Sequence, residues 1–492
     1  MLSREKSVKR PLPAYETGSG EPLGKADLYA LILAGGVGSR FWPFSRILEP
    51  KQFINIFGNE SLLQNTINRL KGLVSADKVY IITNRLYFNE VKKQIEKFRI
   101  PDANIILEPE GKNTAPAIGL CARLILKSDP QGILVALPAD HYIKDIAKFK
   151  ETIRAAAACA RDDLLVTIGI RPKKPATGYG YIKIEHLNAH RNEFIKSFKV
   201  HRFLEKPSLK KAKEYIKSKS YFWNSGIFVW KAAVFMDEVK AYLPDLYSQL
   251  RKISAIEDIP KVWPRIKPIS VDYGIMEHSK RIALIPADFE WSDLGSWDAL
   301  RELLPKDREG NVIQADSVDR DSRGICAFSR ANRLIATIGL KDLIIADTPD
   351  ALLVCNRDRA QEVKEIVDKL KLGKRKEHIA HMTDKRPWGS FTILQLGEGF
   401  KIKLIEIEPR KRLSLQAHRR RAEHWVVVSG CAKVNRGRDI VYVRSNQSIY
   451  IPKGVKHRLE NPRDTSLKIV EVQTGNYLEE DDIKRFDDDY RR

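Results

Sequence analysis

Between residues 27 and 304, short apolar runs alternate with segments whose apolar positions recur at the helical period. The runs LYALILAG (28–35), KVYIITN (78–84), GILVALPA (132–139) and DLLVTIGI (163–170) predict strands. SLLQNTINRL (61–70) and FKETIRAAAACARD (149–162) predict amphipathic helices. This alternation predicts an α/β domain with a mixed, mostly parallel sheet covered by helices. Sheets of that kind bind ligands at the carboxyl ends of their strands, so the loops there are expected to carry the chemistry.

The pattern changes after residue 305. NVIQADS, GICAFS, RLIATIG, DLIIADT and ALLVCN are short β segments between polar turns, and RAQEVKEIVDKLK (359–371) is helical. A charged linker, KLGKRKEHIAHMTDK, leads into segments that are all β, among them FKIKLIEIEP, EHWVVVSG and LKIVEVQTG. Their spacing predicts an antiparallel barrel or jelly roll. Four regions follow: a loosely ordered leader (1–26), an α/β domain (27–304), a β-rich linking module with its helix (305–372) and a C-terminal β-barrel (373–492).

A chain of 492 residues is long enough for two or three such domains. No apolar run approaches the roughly 18 residues of a membrane span, and the N-terminus has no apolar signal core. Five scattered cysteines without CxxC spacing point to a reducing, cytoplasmic setting and away from a disulfide framework. The 86 Lys and Arg against 63 Asp and Glu leave a net charge of +23. That charge is spread along the chain without a recognition-helix or RNA-binding motif. It therefore argues for anionic small-molecule substrates and against a specific nucleic-acid partner. The oligomeric state is left open, a homo-oligomer included.

The first strand runs into Gly35, Gly36, Val37, Gly38, Ser39 and Arg40, followed by FWPFSR and then Pro50, Lys51, Gln52 and Phe53. Glycines after a strand let backbone N–H groups face an anion, and neither Rossmann nor Walker spacing is present. Arg40 and Lys51 place two permanent cations beside the glycines, as transfer of a nucleotidyl group requires. GGVGSRFWPFSRILEPKQF resembles the signature of bacterial mannose-1-phosphate guanylyltransferases, with Ser39 for the usual Thr and Phe41 for the usual Leu.

Further segments match the same family in the same order. LEPEGKNTAPAIGL (107–120) is similar to its base-binding segment, where Glu108 and Asn113 are expected to meet the guanine edge of GTP. Lys112 stands where the family has Arg. The resemblance of ALPADH (136–141) and EWSDLGSW (290–297) implies that Asp140 and Asp293 hold Mg²⁺. PATGYGYI, FLEKP and FWNSGIFVW imply a mannose 1-phosphate pocket built from Gly178, Glu205, Lys206 and Asn224. VDYGIMEHS (271–279) also matches, with no chemistry attached. The implied reaction is direct in-line displacement by the sugar phosphate on the α-phosphorus of GTP.

In the last domain, Gln416, His418 and Glu423 precede Gly430, and PKGVKHRLEN supplies His457. These spacings fit the two cupin motifs. Residues two apart on a strand share a face, so Gln416 and His418 can meet one divalent metal such as Zn²⁺, completed by Glu423 and His457. The domain resembles the mannose-6-phosphate isomerase part of bifunctional family members, which implies mannose 6-phosphate and fructose 6-phosphate as substrates. Arg419, Arg420, Lys453, Lys456 and Arg458 are candidate phosphate contacts. Arg410 and Asn446 replace motif glycines, and Arg420 replaces a frequent His. A transferase with a non-catalytic cupin, or another nucleotide and sugar pair, are the alternatives.

Overall fold

The computed structural model describes residues 28–188 and 196–490. The expected leader, 1–26, lies outside the described residues. The chain divides into two compact units. One holds the residues before Trp42 together with Pro50–Pro305; the other holds Trp42–Glu49 and everything from Lys306 onward.

Nine strands form the sheet of the first unit: β1 (Leu28–Ala34), β2 (Val79–Asn84), β3 (Ile105–Glu108), β4 (Ile133–Pro138), β5 (Leu165–Ile170), β6 (Tyr181–Asn188), β7 (Phe198–Leu204), β8 (Tyr221–Lys231) and β9 (Ile282–Ala287). Their order is β3-β2-β1-β4-β8-β5-β9-β7-β6, and β6 also pairs with β8. β1 to β4 run parallel, as do β5 and β9, while β8 is antiparallel to both β4 and β5. The sheet is therefore mixed, as the sequence pattern predicts. Ala30 and Ile32 of β1 enter one core, and Tyr29 and Leu31 enter the other on the opposite face. A strand covered on both sides must be apolar throughout, which is why β1 shows no polar alternation. The helix Leu62–Leu70 opens on a capping box, with the Ser61 hydroxyl accepting from Gln64 N and the Gln64 side chain accepting from Ser61 N. The carboxyl ends of β1, β3 and β4 lead directly into the glycine loop, Glu108 and Asp140.

In the second unit, successive turns of chain stack in parallel register: Val312 beside Cys326 beside Ile344, and Ser317 beside Ile335. This is a coiled β-ladder, closed by an antiparallel strand (Leu352–Asn356) and the helix Val363–Leu372. The C-terminal region is two antiparallel sheets of six and five strands. Trp388, Ile407, Trp425, Val434, Leu459 and Ile469 pack together in one core there.

The stretch read from sequence as one phosphate-binding segment is divided by the fold. Trp42–Glu49 belongs with the second unit. The buried Arg46 guanidinium donates to both Asp350 oxygens at 3.1 and 3.2 Å, and the Trp42 indole donates to the Glu377 carbonyl at 2.9 Å. Burial would raise the Asp350 carboxyl, but the nearby His381 ring, 3.9 Å away, and the Arg46 charge hold it below its usual range. Trp42 and Arg46 are therefore anchoring residues of the second unit.

Candidate active sites

In the first unit, Gly38 has a left-handed φ of +68°, and a Cβ there would lie 2.5 Å from the Lys51 Cβ. Glycine is thus required where the loop folds back on the short helix Lys51–Phe53. The Lys51 side chain is only 5% exposed. Its ammonium reaches three oxygens: Asp140 Oδ2 at 2.7 Å, the Asp293 carbonyl at 2.7 Å and the Leu294 carbonyl at 3.0 Å. One cation thereby ties the end of β4 to the 290–297 loop. Burial pushes the Asp140 carboxyl up, yet the adjacent Lys51 charge prevails and holds it below the usual range. Arg40 is half-buried and makes no side-chain hydrogen bond or ion pair among the described residues.

Asp293 Oδ1 accepts from the Tyr179 hydroxyl and from Gly295 N, each at 2.9 Å. Oδ2 has no such partner among the described residues, and a Cβ on Gly295 would crowd it at 2.7 Å. An ionised Asp140 and an open Asp293 oxygen fit a hard divalent cation. Burial and the Asp293 charge push the Tyr179 phenol far above its usual range, so it remains a donor. Beside Asp140, burial lowers His141 to about 4, which keeps it neutral, and the Trp291 indole donates to its Nδ1 at 3.1 Å. The buried Arg69 donates to the His141 carbonyl at 2.6 Å and to the Thr66 hydroxyl at 2.8 Å. Burial lowers Arg69 to about 10, so it remains a cation behind Asp140.

Glu108 is 6% exposed, and its Oε1 is buried with no hydrogen-bond partner. Its Oε2 lies 3.7 Å from where a Cβ on Gly35 would stand. Burial raises this carboxyl to about 7 despite a hydrogen bond from the Lys112 backbone. An orphaned acceptor beside the glycine loop suits a ligand with N–H donors. Asn113 takes φ 70° and its Oδ1 accepts from Thr114 N at 2.9 Å, so that oxygen caps the helix Thr114–Ser128. Lys112 pairs with Glu110 at 2.6 Å.

For the sugar residues, a Cβ on Gly178 would meet open space, whereas one on Gly180 would come within 2.4 Å of Glu205 Oε2. Gly180 is thus the glycine that lets Glu205 approach the backbone. Lys206, at φ 44°, pairs with Glu205 at 3.3 Å. Asn224 lies in β8, and its backbone N donates to the Gly180 carbonyl at 2.9 Å.

In the second unit, His418, Glu423 and His457 are all buried, and one donor atom from each lies within 4.8 Å of the others. His418 Nε2 is 3.1 Å from Glu423 Oε1, and His457 Nε2 is 3.5 Å from Glu423 Oε2. His457 Nδ1 meets the Val455 carbonyl at 2.9 Å, which places its proton there and leaves Nε2 a lone pair. Both Nε2 atoms are buried without a hydrogen-bond partner, and burial lowers His418, favouring neutral imidazole. Glu423 is fixed by Gln473 Nε2 at 3.0 Å and the Trp425 indole at 3.2 Å. These are the properties of a transition-metal ligand set. Gln416 lines the adjoining cavity, and its Oε1 accepts from the Ser414 hydroxyl at 3.2 Å.

The cations of that cavity are Arg386, Lys403, Arg421 and Arg485, and Glu471 and Glu480 face them. The expected phosphate contacts lie elsewhere: Arg419, Arg420, Lys453 and Lys456 are exposed, and Arg458 pairs with Asp487. Burial and the Glu423 charge push the Glu471 carboxyl well above its usual range. The two replaced glycines leave their turns intact. Arg410 and Asn446 take left-handed φ values of 59° and 66°, and Arg410 is held by Asp464 at 2.7 Å.

Family models of known proteins match both units of the chain. A nucleotidyl transferase family model matches residues 29–310, a MannoseP isomerase/GMP-like beta-helix domain matches 311–370, and a mannose-6-phosphate isomerase C-terminal domain matches 373–488. The chain is 39% identical to a mannose-1-phosphate guanylyltransferase of Escherichia coli K12, over 96% of this chain and 100% of that protein. The chain belongs to the mannose-1-phosphate guanylyltransferase family. A Salmonella montevideo mannose-1-phosphate guanylyltransferase is 41% identical over 94% of this chain and 99% of its own length. The xanthan biosynthesis protein XanB of Xanthomonas campestris pv. campestris is 39% identical over 95% of this chain and 100% of its own. A crystal structure from Thermus thermophilus, described as a mannose-1-phosphate geranyltransferase, superposes with a TM-score of 0.63 at 32% identity, covering 70% of this chain and 99% of that one.

The family signature led to Arg40, Lys51, Asp140 and Asp293. It did not lead to Tyr179, which donates to Asp293, or to Arg69 and His141, which are bonded to each other beside Asp140. Tyr179 lies within the quoted PATGYGYI, and its position beside the expected Gly178 was the one signal available.

Proposed function

We propose that this enzyme joins GTP and mannose 1-phosphate to give GDP-mannose and pyrophosphate, and that its C-terminal domain interconverts mannose 6-phosphate and fructose 6-phosphate. The observation that carries the first activity is the Lys51–Asp140–Asp293 cluster at the mouth of the glycine loop. Backbone N–H groups of Gly35, Gly36, Gly38 and Ser39 bind the triphosphate, and Arg40 offsets charge on the leaving pyrophosphate. Mg²⁺ held by Asp140 and Asp293 would supply further positive charge to the phosphates. Lys51 keeps the two carboxylate-bearing segments in register. The sugar phosphate oxygen forms its bond to the α-phosphorus as the bond to the β-phosphate oxygen breaks, so no covalent protein intermediate is required. The product would feed mannose-containing glycan synthesis in the cytosol. The free cysteines fit that compartment, and among the described residues no helix is long and apolar enough to cross a membrane.

Glu108 accepts from the two adjacent N–H groups of guanine only when ionised. With its free-enzyme value near 7, GTP must displace a proton as the pH falls below neutrality. KM for GTP is therefore expected to rise about tenfold from pH 8 to pH 6, and Glu108→Gln to flatten that dependence while lowering kcat/KM for GTP about 30- to 100-fold. Steady-state kinetics across pH check this. An unchanged preference for GTP over ATP in Glu108→Gln would remove Glu108 from base recognition.

For the second activity, His418, Glu423 and His457, with Gln416, would hold a divalent metal such as Zn²⁺, which would polarise the sugar carbonyl and hydroxyl. Arg386, Lys403, Arg421 and Arg485 give the cavity the positive charge a sugar phosphate needs.

A further inference from the structure

The segment VDYGIMEHS carries no chemistry in the sequence reading, yet its Asp272 is hydrogen-bonded to Asn224, one of the residues expected to meet the sugar. Asp272–Met276 forms a π-helical turn, a rare distortion frequent at functional sites. Asp272 Oδ1 accepts from Asn224 Nδ2 at 2.7 Å. At its other end the Asn224 amide is also held, with Oδ1 accepting from Gly226 N at 3.0 Å and the Thr167 hydroxyl at 3.4 Å. The amide is thus fixed in one orientation with one N–H to spare. Asp272 keeps its second oxygen without a hydrogen-bond partner among the described residues.

Glu205 is the neighbouring charge. Burial first, and repulsion by Glu205 second, push Asp272 up to about 6, with the hydrogen bond from Asn224 and the Lys206 charge offsetting only part of this. Two carboxylates around one spare N–H make a pocket with an excess of acceptors. A phosphate would be repelled there, whereas vicinal hydroxyls bring the missing donors. We propose that Asp272 accepts a hydrogen bond from a ring hydroxyl of the hexose 1-phosphate, and that with Asn224 and Glu205 it sets which sugar the transferase takes. This rests on the assignment of this pocket to the sugar.

Asp272→Asn separates that role from a structural one. The new side chain still offers an oxygen to Asn224 Nδ2, but replaces the open oxygen with NH₂. The full chain with GTP and Mg²⁺ is assayed on mannose 1-phosphate and its 2-, 3-, 4- and 6-deoxy analogues, for wild type and Asp272→Asn. KM for mannose 1-phosphate is expected to rise about 10- to 100-fold, with KM for GTP within about twofold. Loss of one particular hydroxyl should cost wild type about tenfold or more in kcat/KM and cost the variant almost nothing. If every deoxy analogue costs the same in both proteins, Asp272 touches no hydroxyl and the inference falls. If wild type does not turn over mannose 1-phosphate, the proposed function fails separately. The same cycle, read as the shift in Tm caused by each sugar phosphate, then decides whether Asp272 reads the hydroxyl.

Discussion

Lys51→Met is expected to lower kcat for pyrophosphate release about 10³-fold while the protein still folds. The methionine nearly matches the lysine stem in volume, so the packing against Gly38 is kept. What disappears is the cation shared by Asp140 Oδ2 and the carbonyls of Asp293 and Leu294. Three oxygens that converged on one ammonium then repel one another. Unpaired buried polar groups cost about 1–3 kcal/mol each, and here the relief available is movement of the 290–297 loop. That movement carries the Asp293 carboxylate away from Asp140, and misplacement of about 1 Å costs on the order of 10²-fold in rate. Loss of positive charge beside the phosphates accounts for the rest. The pH profile should change as well. Lys51 is what holds the Asp140 carboxyl low, so its loss lets burial raise that carboxyl. Residual activity should then fall away on the acid side at a higher pH than in wild type. Turnover within tenfold of wild type, with an unchanged acid limb, would contradict the assigned role.

His418→Ala is expected to remove the divalent metal and the isomerase activity together, leaving guanylyl transfer within about twofold. His418, Glu423 and His457 all lie within the second unit, whereas Lys51, Asp140 and Asp293 lie within the first. Buried Nε2 atoms without hydrogen-bond partners are costly unless a ligand satisfies them, and a transition metal does so. Removing one of three such ligands should lower metal content from about one equivalent to near zero at micromolar protein, and lower isomerisation at least about 10²-fold. Elemental analysis and a coupled mannose 6-phosphate assay read both. Chelation of wild type should have the same effect, reversed by Zn²⁺. Full isomerase activity in a metal-free sample would contradict the metal site.

The parts of the fold that sequence predicts best are those fixed by local pattern. β1 is apolar throughout because both of its faces are covered, and the Ser61–Gln64 capping box marks a helix start in four residues. The parts it misses depend on distant partners. Asp272 gains its meaning only when the π-helical turn meets Asn224 in β8. Tyr179 gains its meaning from an aspartate 114 positions away. Trp42–Glu49 reads as part of a continuous signature, and only the chain's return at Asp350, Glu377 and His381 reveals its second allegiance. In the cupin, strand Phe400–Ile407 alternates so that Lys401 and Lys403 share the buried face with Ile405 and Ile407. Period-2 reasoning groups these four residues but does not say that their face is the interior. The more obvious basic run around Arg419 and Arg420 draws attention instead. Arg410 and Asn446 show the opposite case. Their replacement of glycine warned of distorted turns, but both adopt the left-handed conformation the glycines would have taken.

Guanylyl transfer to mannose 1-phosphate is read most directly as pyrophosphate release. GTP, ATP, UTP and dTTP are each paired with mannose 1-phosphate and with glucose 1-phosphate in the presence of Mg²⁺. Rapid release is expected only for GTP with mannose 1-phosphate, with other pairs at least about tenfold slower in kcat/KM. Preference for another pair, or no release from any, would contradict it.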